Sequence, residues 1–187
     1  MDIDRLEQLI RERRSSFRVD PEQPVQADLI RRLCESAVWA PNHRRTHPWR
    51  FAVLSGDSRL AVGVALAEDL ERNDAPAEQV EKARGKFARA PVVVVVGSAG
   101  HEDPVLDEEN RYAVAAGIQN MLLGATAAGL RSYWTTGRAT TVEAIKRIAG
   151  FGTDVTIIGF VHFGWPVGEV PPGRREEPAI MWVGLEA

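Results

Sequence analysis

Four stretches of this sequence gather side chains suited to holding an anion and a flat ring. Residues 12–18 (ERRSSFR) place two adjacent arginines before two serines, a set of forked cations, hydroxyls and backbone N–H groups that suits a phosphate monoester. The same residues also suit a solvated helix end whose arginines offset the helix dipole. Residues 39–51 (WAPNHRRTHPWRF) crowd two histidines, three arginines and two tryptophans around two prolines, and a loop between rigid elements is a common position for a binding site. His43 and His47 lie four apart, but Pro41 and Pro48 work against a helical metal pair. No carboxylate or thiol is near them in sequence, so no metal centre is expected. In residues 129–141 (GLRSYWTTGRATT), Trp134 stands beside Thr135, Thr136 and Gly137. A flat aromatic surface next to hydroxyls and accessible N–H groups suits a heteroaromatic ring, and Trp134 equally suits a core. The tail segment GRREEP adds Arg174 and Arg175, which fit a phosphate or a solvated surface.

Periodicity supplies the elements that must position these groups. Ile3, Leu6, Leu9 and Ile10 predict an amphipathic helix running toward Arg13 and Arg14. The prolines of DPEQPVQ break it, and the helical pattern resumes over 27–39 through Leu29, Ile30, Leu33, Ala37 and Val38 until Pro41 closes it. Residues 49–54 (WRFAVL) predict a strand. Residues 57–88, alanine-rich, charged and interrupted at Pro76, predict two helices in an exposed part of the molecule. The run PVVVVVGS from Pro91 has no polar alternation, which predicts a central strand covered on both faces. Residues 110–129 predict a buried helix of small apolar residues, 130–134 a short strand, and 141–149 a helix capped by Thr140 or Thr141. Residues 155–163 (VTIIGFVHF) predict another central strand. The tail from Pro166, rich in proline, glycine and arginine, predicts an arm that crosses another surface.

One domain over residues 1–187 is expected, since 187 residues at 44% hydrophobic content suffice for a single core. The expected class is α+β, a central mixed sheet flanked by helices. No G-x-G-x-x-G follows any strand, which argues against a Rossmann unit. The single cysteine, Cys34, lies in an apolar stretch and is expected to be a small buried hydrophobe. A formal net charge of −3 argues against a nucleic-acid surface. No apolar run approaches the roughly 20 residues that span a bilayer, and the charged N-terminus does not resemble a signal peptide. The expected setting is a reducing cytoplasm with no membrane or nucleic-acid partner.

Taken in order, R-R-S at the end of the first helix, A-P-N-H followed by P-W-R-F, A-A-G-L-R-S-Y-W-T-T-G, I-I-G-F-V-H-F-G-W-P and the basic tail resemble the nitroreductase family, in particular its short FMN-dependent NAD(P)H branch. The similarity runs over essentially the whole chain. It implies a homodimer that packs through its long helices and exchanges C-terminal arms, with two FMN sites at the interface, NAD(P)H as electron donor and a small aromatic acceptor. It assigns Arg13, Arg14 and Ser15 to the FMN phosphate and ribityl chain, Trp134, Thr135 and Thr136 to the isoalloxazine ring, and Arg175 to the phosphate. His43 would reach the cofactor of the partner's site, and Trp39 joins the cofactor-binding positions at a place that can be basic in this branch. No catalytic side chain is implied, because the flavin carries the chemistry. Asn42, Arg45 and His47 replace the serine, asparagine and glutamine that larger members carry before P-W, which bears on substrate range. A flavin-binding module without turnover, or a flavoenzyme of the same fold with different chemistry, remains the alternative.

Overall fold

The computed structural model describes residues 2–184. Its sheet has four strands, β1 (Trp49–Ser55), β2 (Val92–Ala99), β3 (Arg131–Thr135) and β4 (Val155–Gly164), in the order β1-β2-β4-β3. The valine run of β2 lies between β1 and β4 as expected. Val92, Val94 and Val96 face one core with Val161 and Phe163, while Val93 and Val95 face a second core with Phe160. Alternation of side chains across a strand means that five consecutive valines are needed when both faces are dry.

The first face is covered by α2 (Ala27–Ala37) and α5 (Pro104–Ala127), which also contact each other. The second is covered by α3 (Gly56–Arg72), α4 (Ala77–Gly85) and α6 (Glu143–Ile148). The α3–α4 region is therefore no exposed annex. Val62, Ala65, Leu66, Ala67, Val80 and Ala83 are buried, and its charged residues occupy the outer faces of both helices. The break at Pro76 falls where the sequence put it, with Pro76 as the cap of α4.

Two further expectations are corrected. All three ladders are antiparallel rather than mixed, and the single parallel pairing among the described residues is the isolated bridge between Ser15 and Ser132. Burial of β2 and β4 on both faces comes from the two helix layers, and a strand–helix–strand connection long enough for a parallel crossover serves here to reach antiparallel neighbours. Nor do Thr140 and Thr141 cap α6. Their hydroxyls donate backwards to the Gly137 and Arg138 carbonyls, each at 2.9 Å, and stabilise a short 3-10 turn instead. The helix follows from Val142.

No helix among the described residues is long and apolar enough to cross a membrane. Cys34 is half-buried against the first core, and burial, with Glu35 as a smaller cause, pushes its thiol up to about 11. It remains protonated and unreactive at neutral pH.

One polar residue sits deep in the second core. His162 on β4, 1% exposed, lies edge-on to Phe17 at 5.1 Å and stacks with Phe87 at 5.5 Å. Burial, and then the cations of Lys86 and Arg89, push its pKa down to about 3. The folded chain thus holds a neutral imidazole where the unfolded chain protonates near 6.5. Unfolding takes up a proton between those values, so this contribution is complete above about pH 6.5 and is lost as the pH falls toward 3. Acidification from pH 7 to pH 4 is expected to cost about 3 kcal/mol through this group. Denaturant titrations of the native chain and of His162→Phe measure it, and equal slopes of stability against pH in the two proteins would contradict it.

Candidate functional site

The end of α1 (Ile3–Glu12) meets β3 at the open edge of the sheet. Asp2 caps α1 by accepting the Arg5 N–H at 2.9 Å, and Arg13 ends it in an extended conformation. Beyond that point the chain runs beside β3. The Ser16 N–H donates to the Ser132 carbonyl at 3.1 Å, Phe17 stacks on Tyr133 with centroids 4.1 Å apart, and Arg13 and Arg14 are left half-buried at the corner.

The C-terminal arm returns to the same corner. Val19 bridges Pro166, the Val167 N–H donates to the Arg18 carbonyl at 3.0 Å, and the Arg18 guanidinium donates to the Glu169 carbonyl at 2.8 Å. Farther along, Gly173 lies flat on the Arg14 guanidinium, where a Cβ would come within 2.3 Å of Cζ. A side chain at this position would have to displace the flexible end of Arg14. Arg175 then faces Arg13 across a cavity of about 450 Å³ that Gln119 of α5 closes from below.

Four arginines line this cavity. Arg11 pairs with Glu7 at 2.8 Å, whereas Arg13, Arg14 and Arg175 are in no ion pair with a carboxylate among the described residues. The pKa of Arg13 is lowered, first by burial and then by the charges of Arg175 and Arg14. Like charges brought together in this way make the corner positive.

The adjoining strand carries unsatisfied donors. Among the described residues, four buried side-chain nitrogen or oxygen atoms lack a partner: Arg131 Nε, Ser132 Oγ, Trp134 Nε1 and His162 Nδ1. Three belong to β3, and the fourth is on β4 opposite Tyr133. Buried polar atoms are normally paired, and three of these four lie on one edge strand. The Trp134 indole lies over the backbone of Gly159, where a Cβ would approach Nε1 to 2.2 Å. Thr135 is half-buried and Thr136 is exposed at the strand end.

Arg13, Arg14 and Arg175 line one cavity, while Ser15, exposed, bridges Ser132 of the strand that leads to Trp134, Thr135 and Thr136. Trp39 and His43 lie elsewhere. Trp39 is 86% exposed at the end of α2, and His43 Nδ1 lies 2.6 Å from Glu109 near the start of α5. Gln119, beside the arginine pocket, is about 15 Å farther along that helix at a rise of ~1.5 Å per residue. The loop that carries His43 is strained, with Arg44, Arg45 and His47 at φ of 59°, 52° and 52°. Asn42 holds it by accepting the His47 N–H at 2.9 Å, and Thr46 donates to the buried Asn110. Left-handed backbone at non-glycine residues persists only where its surroundings fix it. Gln119, Arg131 and His162 escaped the sequence reading. The first two are ordinary polar positions next to apolar patterns, whereas His162 left a signal as the lone titratable residue in VTIIGFVHF.

A buried antiparallel sheet between two helix layers, with a cationic pocket beside its edge strand, defines an α+β domain. The chain belongs to the nitroreductase family, whose family model matches residues 10–165. It is 26% identical over 165 residues to an Escherichia coli K12 protein named "Putative NAD(P)H nitroreductase YdjA", covering 88% of this chain and 89% of that one. It is also similar to the crystal structure of a nitroreductase-like family protein from Bacillus cereus, with a TM-score of 0.78, 26% identity and coverage of 92% and 91% of the two chains. A nitroreductase with bound FMN from Bacteroides fragilis shares the fold, with a TM-score of 0.74 at 20% identity over 95% of this chain and 97% of that one.

The contact at Gly159 gives a direct test of how Trp134 is seated. Gly159→Ala is expected to displace the indole and to cost about 1–3 kcal/mol, as overpacking of a close contact does. Lower stability together with altered tryptophan fluorescence would show it, and unchanged values of both would mean that Trp134 does not lie on the β4 backbone.

Proposed function

We propose that this chain is an FMN-dependent oxidoreductase that passes electrons from NAD(P)H to nitroaromatic or quinone-like acceptors in a ping-pong cycle. The observation that carries this reading is the trio Arg13, Arg14 and Arg175, unneutralised and converging beside a strand with orphaned donors. A terminal phosphate matches the trio in charge and in the fork geometry of guanidinium groups. Ser15, next to Arg14 on the path toward Trp134, suits the hydroxylated chain between phosphate and ring. The strand end at Trp134, Thr135 and Thr136 would border the ring, with the Trp134 and Thr135 side chains on opposite faces of β3. When bound, FMN supplies reversible hydride uptake at N5. The residues of this chain bind and orient it, and Arg14, half-buried, would favour the charge of the reduced form.

The same reading includes a homodimer. A single chain leaves Tyr112 of α5 61% exposed, Ile3 and Ile10 of α1 uncovered, Trp39 bare, and Ile180, Met181 and Trp182 of the arm in solvent. Apolar surface on this scale marks an interface. A second copy seated there would bring Trp39 and His43 to the cofactor held by its neighbour and would give the arm a surface to cross. Light scattering is expected to report a dimer at micromolar protein. Truncation after Pro166 is expected to weaken both dimer and flavin affinity, and a stable monomer of the full chain would rule the assembly out.

The purified protein is expected to be yellow and to release FMN rather than FAD on heating. Anaerobic NADPH or NADH should bleach it, whereas a binding module without turnover would keep its colour. Arg13→Ala removes a charge-assisted hydrogen bond worth about 1.5–3 kcal/mol, a loss of roughly tenfold to hundredfold in FMN affinity. Riboflavin, lacking the phosphate, should bind the native chain far more weakly than FMN, and the variant should discriminate less between the two. Equal losses for both flavins would remove Arg13 from the phosphate.

A further inference from the structure

The Thr135 side chain makes one hydrogen-bond contact among the described residues. Its Oγ1 lies 3.3 Å from Nε2 of His162, while Nδ1 of that ring has no partner among the described residues. In the ladder, Tyr133 is opposite His162 and Thr135 is opposite Phe160, so Thr135 and His162 occupy the same face of the sheet, one step apart across the strands. Phe17 and Phe87 flank the ring, and Lys86 and Arg89 are the charged groups that act on it.

The two ring nitrogens differ in what surrounds them, and that difference favours one tautomer. A neutral imidazole has one N–H and one bare lone pair. Were the proton on Nδ1, a buried N–H would stand without an acceptor, the rarer and costlier kind of orphan. With the proton on Nε2, the N–H donates to Thr135 Oγ1, and only a lone pair is left unmatched, in surroundings made positive by Lys86 and Arg89. Once its oxygen accepts from His162, the Thr135 hydroxyl has its own hydrogen free to donate outward, with its polarity reinforced along the chain of bonds.

We propose that His162 is a positioning residue, which through an Nε2–H donor bond turns the Thr135 hydroxyl into a committed hydrogen-bond donor toward the electron-rich edge of the ring held against β3. This rests on the flavin reading of the site. The Thr135 O–H would favour the reduced, more electron-rich ring over the oxidised one, so His162 sets how easily the cofactor is reduced without touching it. The device is buried in the second core and is independent of the phosphate pocket.

Two measurements on the full chain test it. In the flavin-free protein, nitrogen chemical shifts of the His162 ring at neutral pH should report the Nε2–H tautomer, and an Nδ1–H tautomer overturns the proposal whatever the variants do. In the FMN-loaded protein, His162→Phe keeps the aromatic packing and Thr135→Val removes the hydroxyl. Each should weaken binding of reduced relative to oxidised flavin by roughly tenfold, a fall of about 30 mV in the two-electron midpoint potential. The double variant should fall no further than either single one. His162→Gln, whose amide places an N–H near the position of Nε2, should restore most of the potential. An unchanged potential in a flavin-loaded His162→Phe protein overturns the role of His162 and leaves the flavin reading intact. Failure of the native chain to take up FMN at all removes that reading and this inference with it.

Discussion

The backbone bond from Ser16 N–H to the Ser132 carbonyl fixes the rest of the site. An edge strand has one side unpaired, and here that side is met, among the described residues, by the short segment leaving α1. The pairing is a single bridge, but it determines which way the chain emerges from the helix. That direction places Arg13 and Arg14 at the corner instead of on the solvent face, and it places Phe17 under Tyr133 and beside His162. The arm then aligns against the same segment through Arg18 and Val19. Three parts of the chain that are far apart in sequence converge because one strip of backbone offers each of them hydrogen bonds.

The cost of this convergence is electrostatic. Arg13 is partly desolvated and feels two neighbouring cations, so the pocket gathers like charges. An anionic ligand relieves that repulsion, and any ligand bound only by the folded state adds to its stability by mass action. On the proposed reading, ligand binding and fold stability would be linked through Arg13, Arg14 and Arg175. The glycine at 173 belongs to this balance, since it allows the arm to bring the third charge in at the distance of a backbone contact.

Much of this was legible in the sequence, for identifiable reasons. The helices at 3–12 and 27–37 and the strands at 49–55, 92–99 and 155–164 carry strong apolar periodicity or uniform runs, and these patterns report burial directly. The α5 helix begins six residues before the expected Asn110 because Asp103 caps it and Pro104 suits its first turn, signals masked by the acidic stretch between. Strand direction was not legible, since a run of valines records that both faces are dry and says nothing about the neighbour's polarity. Exposure of α3 and α4 was misjudged because their buried faces are built from alanine and valine, whose pattern is diluted by charges on the other side. In the site, the arginine and serine cluster was readable from residue type. The orphaned donors of β3 and the bond between Thr135 and His162 were not, because both depend on the register between β3 and β4, fixed by residues some 25 positions apart.

The valine strand has a consequence for how the molecule is made. During synthesis β2 is complete at Ala99, and β1 is already available to pair with one of its edges. The other edge waits for β4, which does not begin until Val155. At roughly 5–20 residues per second, the gap amounts to an interval on the order of 3–10 s in which an apolar, β-branched strand has one open edge. Proline at 91 and the cations at Lys86 and Arg89 stand just before it, where such residues discourage pairing between chains. The yield of native protein at high expression rate is thus governed by a race between completion of the nascent chain and encounter with a second copy, a competition that leaves no trace in the stability of the finished fold.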